Sequence, residues 1–289
     1  MHDDPKPNRR LEHLQFPGED SSYRTARNAL LDEEMALRRQ IERVSAQRRA
    51  LPPGGMVRED YVFEGLDRNR RPAQMKLSEL FAPGKDSLAI YSFMYGPERD
   101  QPCTGCTHTL DSLEGVARHA PQRINLFIVA KSPLARLLAL ARERGWDHLT
   151  FLSDAGNSYS RDYFGDSVGL SPAMRRQQEF KDGEEWDMPM LNVFRREATG
   201  VRHFWSSEML YVPAEPGQEY RHNDLMIRSG IFSTPRPRDA AISSQSLPIR
   251  RNRTCGRSSS APWFRWMASC KRPAGRPKIR PRASGSEAG

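Results

Sequence analysis

No stretch of this sequence approaches the roughly 18 consecutive apolar residues that a membrane-crossing helix requires. Its first residues, Met1-His2-Asp3-Asp4-Pro5, lack the apolar core of a secretion signal. A cytoplasmic protein with no membrane partner is therefore expected. Cysteine is scarce: four in 289 residues, with Cys103 and Cys106 close together and Cys255 and Cys270 near the C-terminus. One close pair in a long body is no disulfide-stapled secreted scaffold, and in a non-secreted chain it points to redox or metal chemistry. Apolar residues are few, at 37%, which predicts that part of the chain is not packed. Acidic residues are nearly missing from one region. Residues 236–289 hold 13 of the 45 Lys and Arg but only 2 of the 36 Asp and Glu, so that segment carries +11 and the remainder −2. The net charge of +9 belongs to the tail, which weakens the nucleic-acid reading that a basic protein invites.

The pattern along the chain predicts four parts. Residues 1–20 are polar and flexible. Residues 21–51 contain neither Pro nor Gly, and Leu30, Leu37, Ile41, Val44 and Leu51 form a narrow stripe among Arg and Glu. This is an amphipathic helical arm that packs on the body or pairs two copies as a homodimer; Pro52-Pro53-Gly54-Gly55 stops it. Residues 55–232 form an α/β domain, and 233–289 a disordered Arg/Pro/Ser-rich basic tail.

Within the domain, Tyr61–Phe63 and Ala73–Leu77 flank a turn-rich segment and predict a hairpin. Buried strands are expected at Ser87–Tyr95, Ile124–Ala130 and Leu149–Leu152. Between them lie a helix over Thr107–His119, starting at or just before Cys106, and a helix capped by Ser132 with Pro133 at its first position and Gly145 at its end. After a polar stretch, Met190–Phe194 and Val201–Trp205 make a closing antiparallel pair around Ala198-Thr199-Gly200. Alternating strands and helices require parallel pairing with right-handed crossovers. The result is a mixed sheet in the thioredoxin order with flanking helices.

The chemistry centres on Cys103-Thr104-Gly105-Cys106. A dithiol reagent needs two sulfurs near enough to bond, one of them ionised near neutral pH. Two intervening residues at a helix start meet both needs, because free backbone N–H groups and the helix dipole stabilise a thiolate there. Cys103 is assigned as the attacking thiol and Cys106 as the resolving one. Pro189 opens the fourth strand, and a cis Met188–Pro189 bond packed near the sulfurs is expected to leave a backbone edge for substrate. A metal reading would use Cys103, Cys106, His108 and His119. It lacks a second spaced ligand pair, so no metal and no cofactor are expected.

The segments DYVFEG, YSFMYGPERDQPCTGC, VAKSPLARLLALARERGW, FLSDAGNSYSRDYFG and MPMLNVFRREATGVRHFWSSE resemble a thioredoxin-like family of predicted dithiol–disulfide oxidoreductases, domain-of-unknown-function family 899. The resemblance covers about residues 22–225. It implies the thioredoxin fold, a redox role and protein or small-molecule disulfides and thiols as substrates, and it carries Cys103, Cys106 and Pro189 as the positions with a chemical rationale. Tyr95, Arg99 and Asp100 join them only by nearness along the approach loop. After about Asp224 the sequence departs from the family pattern, as a shifted reading frame or a genuine basic extension would make it do. Two other functions compete. Ser153–Gly165 looks like a peroxiredoxin loop, but Pro97 is followed by Gln101 and Cys103 rather than by the hydroxyl residue and spacing of a peroxidase. The tail could bind nucleic acid without specificity, though no recognition motif accompanies it.

Overall fold

The computed structural model describes residues 15–181 and 183–217. The tail, with Cys255 and Cys270, and residues 1–14 of the N-terminal segment lie outside the described residues. The chain divides after Gly54 into two compact units.

The first unit is a 29-residue helix, α1 (Ser21–Arg49), about 44 Å long at 1.5 Å per residue. Its start is fixed by Asp20, whose carboxylate accepts the Tyr23 N–H (2.7 Å) and the Ser22 hydroxyl (2.7 Å). Arg48 and Arg49 face the negative end of its dipole.

In the second unit, seven strands form one sheet among the described residues: β1 (Val62–Leu66), β2 (Pro72–Lys76), β3 (Ser87–Ser92), β4 (Asn125–Ala130), β5 (Phe151–Ser153), β6 (Met190–Glu197) and β7 (Gly200–Ser206). Their order is β2-β1-β5-β4-β3-β6-β7. Strands β3, β4 and β5 are parallel, joined through α2 (Thr104–Ala117) and α3 (Leu134–Arg144), while β6 runs antiparallel to β3 and β7 antiparallel to β6. The inner order β4-β3-β6-β7, with α2 leaving the end of β3, is the thioredoxin-like arrangement anticipated above. The predicted hairpin is present as β1–β2.

Strand alternation divides the core into two faces. Tyr91, Ile128, Ala130 and Phe151 point to the face covered by α2 and α3, where they join Leu110, Leu134, Leu137 and the two cysteines. Leu88, Ile90, Val129 and Leu152 point the other way, toward Tyr61, Phe63, Tyr159 and Phe194. Aromatic edges hold that second face: Phe194 meets Tyr163 edge-on at 4.9 Å and His203 at 5.5 Å between ring centroids.

Several boundaries differ from expectation for identifiable reasons. Helix α2 begins at Thr104, two residues before Cys106, with Cys103 as its N-cap, and ends at Ala117 rather than His119. Helix α3 is capped by Pro133, not Ser132. The Ser132 hydroxyl instead accepts from the Arg136 guanidinium at 3.2 Å. Strand β5 starts at Phe151 rather than Leu149, because the Leu149 N–H is taken by the Glu114 carboxylate. The polar stretch before β6 contains two short helices, α4 (Tyr159–Asp162) and α5 (Pro172–Gln177). In α5 the Ser171-Pro172 pair does cap a helix, the Ser171 side chain accepting from Met174 N–H.

Phe194 is fully buried at the centre of the second face. Phe194→Ala is expected to lower unfolding free energy by about 3–5 kcal/mol. Denaturant titration followed by circular dichroism measures it, with the cysteine chemistry on the opposite face retained in the folded fraction.

Candidate active site

Cys103 ends the loop that leaves β3. Its extended backbone (φ −61°, ψ 125°) makes it the N-cap of α2, and its N–H donates to the Met94 carbonyl at 3.1 Å. Its carbonyl accepts the Thr107 N–H and the Thr107 hydroxyl, both at 2.9 Å, which locks the first turn. Cys106 lies one turn into the helix. Both sulfurs are free thiols in the described structure, and each residue is only 3% exposed.

The two thiols are driven in opposite directions. Cys103 is brought down to about 6, chiefly because the Cys106 thiol donates to its sulfur. Burial opposes this, while the backbone N–H groups of Cys106 and Gly105 and the Arg99 guanidinium add to it. Cys106 is pushed well up, first by burial and then by its bond to Cys103. The sulfur at the helix start is thus favoured as the thiolate and the one beneath it as the thiol.

The second-tier residues separate. Arg99 acts electrostatically on Cys103, and its buried Nε–H has no hydrogen-bond partner. Tyr95 instead stacks under the Arg136 guanidinium, 4.0 Å from the ring centroid. The Asp100 side chain is exposed, and only its carbonyl is used, accepting from Arg136 at 3.3 Å. Arg136 also donates to the carbonyls of Gly96 (3.1 Å) and Arg99, so one side chain of α3 holds the whole approach loop.

Pro189 requires a correction. No peptide bond among the described residues is cis, so Met188–Pro189 is trans. The flanking groups are satisfied in that form: Met188 N–H donates to the Gly165 carbonyl at 2.8 Å, and the Pro189 carbonyl accepts the Tyr211 hydroxyl. Trans Pro189 counts against the substrate edge expected of it. The Tyr211 phenol, raised by burial and then by the charge of Cys106, is tied to this end of β6 by that bond.

Residues not singled out in the sequence complete the site. Tyr91, buried on β3, packs in the same core cluster as the two cysteines, and burial holds its phenol well above its ordinary value. Asp187 accepts the Gly96 N–H at 2.7 Å and pairs with Lys131 at 3.5 Å. A Cβ on Gly96 would lie 2.7 Å from both Asp187 carboxylate oxygens, so glycine is what lets this tie form. Among the described residues, no three His, Cys, Asp or Glu side chains converge where a metal ion could sit. None of the described helices is long and apolar enough to cross a membrane.

The sheet order and the helices that flank it define a thioredoxin-like fold. The chain belongs to a family described as bacterial protein of unknown function (DUF899), whose model matches residues 15–264. That match continues past Asp224, where a departure from the family was expected. No curated protein matches the sequence. Among solved structures, the chain is similar to the peroxidoxin BcpB from Mycobacterium tuberculosis: 14% identity, 64% of this chain and 99% of that one, TM-score 0.36. The 2-Cys peroxiredoxin of Plasmodium vivax gives 14% identity, 52% and 79% coverage and TM-score 0.34. The thiol peroxidase of Chromobacterium violaceum gives 14%, 54% and 75%, and 0.27. What the site does rests on this chain's own residues.

Iodoacetamide should label Cys103 and spare Cys106, with a rate that rises through about pH 6 instead of the free-thiol value of about 8.5. Cys106→Ala should raise that midpoint more than Arg99→Gln does, since the thiol donor is the larger cause. Mass spectrometry of labelled peptides across pH reads both.

Proposed function

We propose that this protein is a thiol–disulfide oxidoreductase in which Cys103 attacks and Cys106 resolves. One observation carries the reading: Cys103 and Cys106 stand as a buried pair of free thiols at the N-terminus of α2, with Cys103 as its N-cap and favoured as the thiolate.

In the first step the Cys103 thiolate attacks one sulfur of a substrate disulfide. The substrate S–S bond breaks, and its electron pair leaves on the second substrate sulfur. In the second step Cys106 gives up its proton and attacks Cys103 Sγ in the mixed disulfide. The Cys103–Cys106 bond forms, and the remaining substrate thiol departs. Two electrons have passed from protein to substrate, and an external thiol restores the dithiol by the reverse sequence. Protein or small-molecule disulfides are the proposed substrates.

Peroxide reduction is the competing enzyme reading, and the local geometry supplies little for it. Thr107 spends its hydroxyl on the Cys103 carbonyl, and Gln101 is exposed.

Cys103→Ser is expected to abolish disulfide reduction. Cys106→Ser should trap a mixed disulfide with the target, because attack survives while resolution is lost. Stopped-flow fluorescence from Trp146, buried on the dithiol face, follows oxidation directly. Hydrogen peroxide should oxidise the wild type at the slow rate of an unassisted thiolate. Fast, saturating peroxide oxidation with negligible disulfide turnover would replace this reading with a peroxidase.

A further inference from the structure

Helix α3 begins against two local rules. Its first turn has no acidic residue to meet the positive end of its dipole, and Arg136, in the third helical position, puts a cation there instead. The helix also lacks a side-chain cap, while the fully buried Ser132 hydroxyl accepts from Arg136. Departures of this kind mark places where a residue is held for another purpose. The partners of Arg136 show what that purpose is. Nη1 donates to the Gly96 carbonyl (3.1 Å) and the Ser132 hydroxyl (3.2 Å), and Nη2 to the carbonyls of Arg99 and Asp100, the latter at 3.3 Å. All four acceptors are neutral, and no carboxylate pairs with the guanidinium among the described residues. Three of the four lie in one loop, and Tyr95 of that loop stacks on the same guanidinium. The loop is closed at its root, where the Cys103 N–H meets the Met94 carbonyl at 3.1 Å. Gly96 is held from both sides, its N–H by Asp187 (2.7 Å) and its carbonyl by Arg136 and by the Arg99 N–H (3.2 Å). Arg99 differs. Its side chain makes no hydrogen bond among the described residues, and its Nε–H is buried without an acceptor. Its backbone fixes it, through the N–H on Gly96 and the carbonyl on Arg136.

We propose that Arg136 is a positioning residue of the dithiol reaction: it holds the loop from Gly96 to Asp100 in one shape and so keeps the charge of Arg99 in place for Cys103. The proposal rests on the dithiol reading above. Arg136 makes no bond to either sulfur and takes no part in the transfer of electrons. Its effect passes through the loop. Cys103 is lowered first by the Cys106 thiol and then, against burial, by the N–H groups of Cys106 and Gly105, all on α2; Arg99 is the contribution from the loop. The α2 donors stay where they are when the loop loosens, and the Arg99 charge does not. The titratable and charged groups that bear on Cys103 are Cys106 on α2, Tyr91 on β3 and Arg99 on the loop, whose Glu98 and Asp100 are exposed. A lysine at position 136 keeps the charge but loses the planar fork that reaches several carbonyls from two nitrogens.

The test follows alkylation of Cys103 by iodoacetamide across pH in the full-length protein, read by mass spectrometry of the labelled peptide, with unfolding measured in parallel. Arg136→Met should raise the Cys103 midpoint by roughly half to one pH unit, the scale of one displaced and partly screened charge. That rise should match the one in Arg99→Gln. Arg136→Lys should raise the midpoint nearly as far. In the Arg99→Gln background Arg136→Lys should add little, because both changes remove the same contribution. Leu140→Ala, a core truncation on the same helix, should lower stability and leave the midpoint where it is. An unmoved midpoint in Arg136→Met overturns the proposal. So does full recovery in Arg136→Lys, which assigns the effect to charge alone, and so do additive rises in the double variant. A rise of equal size in Leu140→Ala overturns it too, since general loosening of α3 then suffices. Should Arg136→Met fail to fold, Arg136→Lys carries the comparison. The dithiol reading stands or falls separately, on whether Cys106→Ser traps a mixed disulfide, a result the Arg136 series does not touch.

Discussion

A single proton between two sulfurs organises this site. Cys106 donates it to Cys103; that bond is the leading cause that lowers Cys103, while Cys106 is raised first by burial and then by the same bond. Burial alone would push both thiols upward and leave neither reactive. Because the donor is itself the partner thiol, the same contact that activates Cys103 keeps Cys106 protonated until the mixed disulfide forms. At that moment Cys103 no longer needs the proton, and Cys106 is released to ionise. Attack and resolution are thereby put in order by one hydrogen bond, without a separate base.

The sheet makes that contact reproducible. Strand β3 lies between the parallel strand β4 and the antiparallel strand β6, so its end cannot shift without breaking two ladders. From that end the chain must reach α2 within a short loop, and each turn of the loop is tied from outside it. Arg136 on α3 gathers three of its carbonyls, and Asp187, before β6, takes the Gly96 N–H. The interactions are spread over α3 and the β6 approach, so the geometry of the sulfurs reports the packing of the whole dithiol face.

Most of this architecture was legible in the sequence. The hairpin, the three parallel strands, the closing pair and the dithiol at a helix start all follow from apolar runs bounded by turn residues. The misses have physical causes. Ser132-Pro133 and Ser171-Pro172 carry the same capping signal, but Arg136 diverts the first serine and leaves the second free to cap. Tyr91 sits inside an aromatic-rich strand, where a residue packed in the dithiol cluster and an ordinary core residue read alike. Strand parity offered a clue, because positions 91, 93 and 95 share the face toward which the chain turns to reach Cys103. Tyr95 and Asp100 were favoured by nearness along the chain, and the loop uses them for support instead. Asp187 and Arg136 act across 91 and about 40 residues of sequence, a separation that local pattern does not reach.

Cys103 is at once the most reactive thiol described here and one of the least accessible, with 3% of its surface exposed. With so little of it facing solvent, a reagent that only collides meets this sulfur seldom, whatever its intrinsic appetite for sulfur. A partner that rests against the surrounding surface stays long enough to be met. The enclosure therefore ranks partners by residence before chemistry begins.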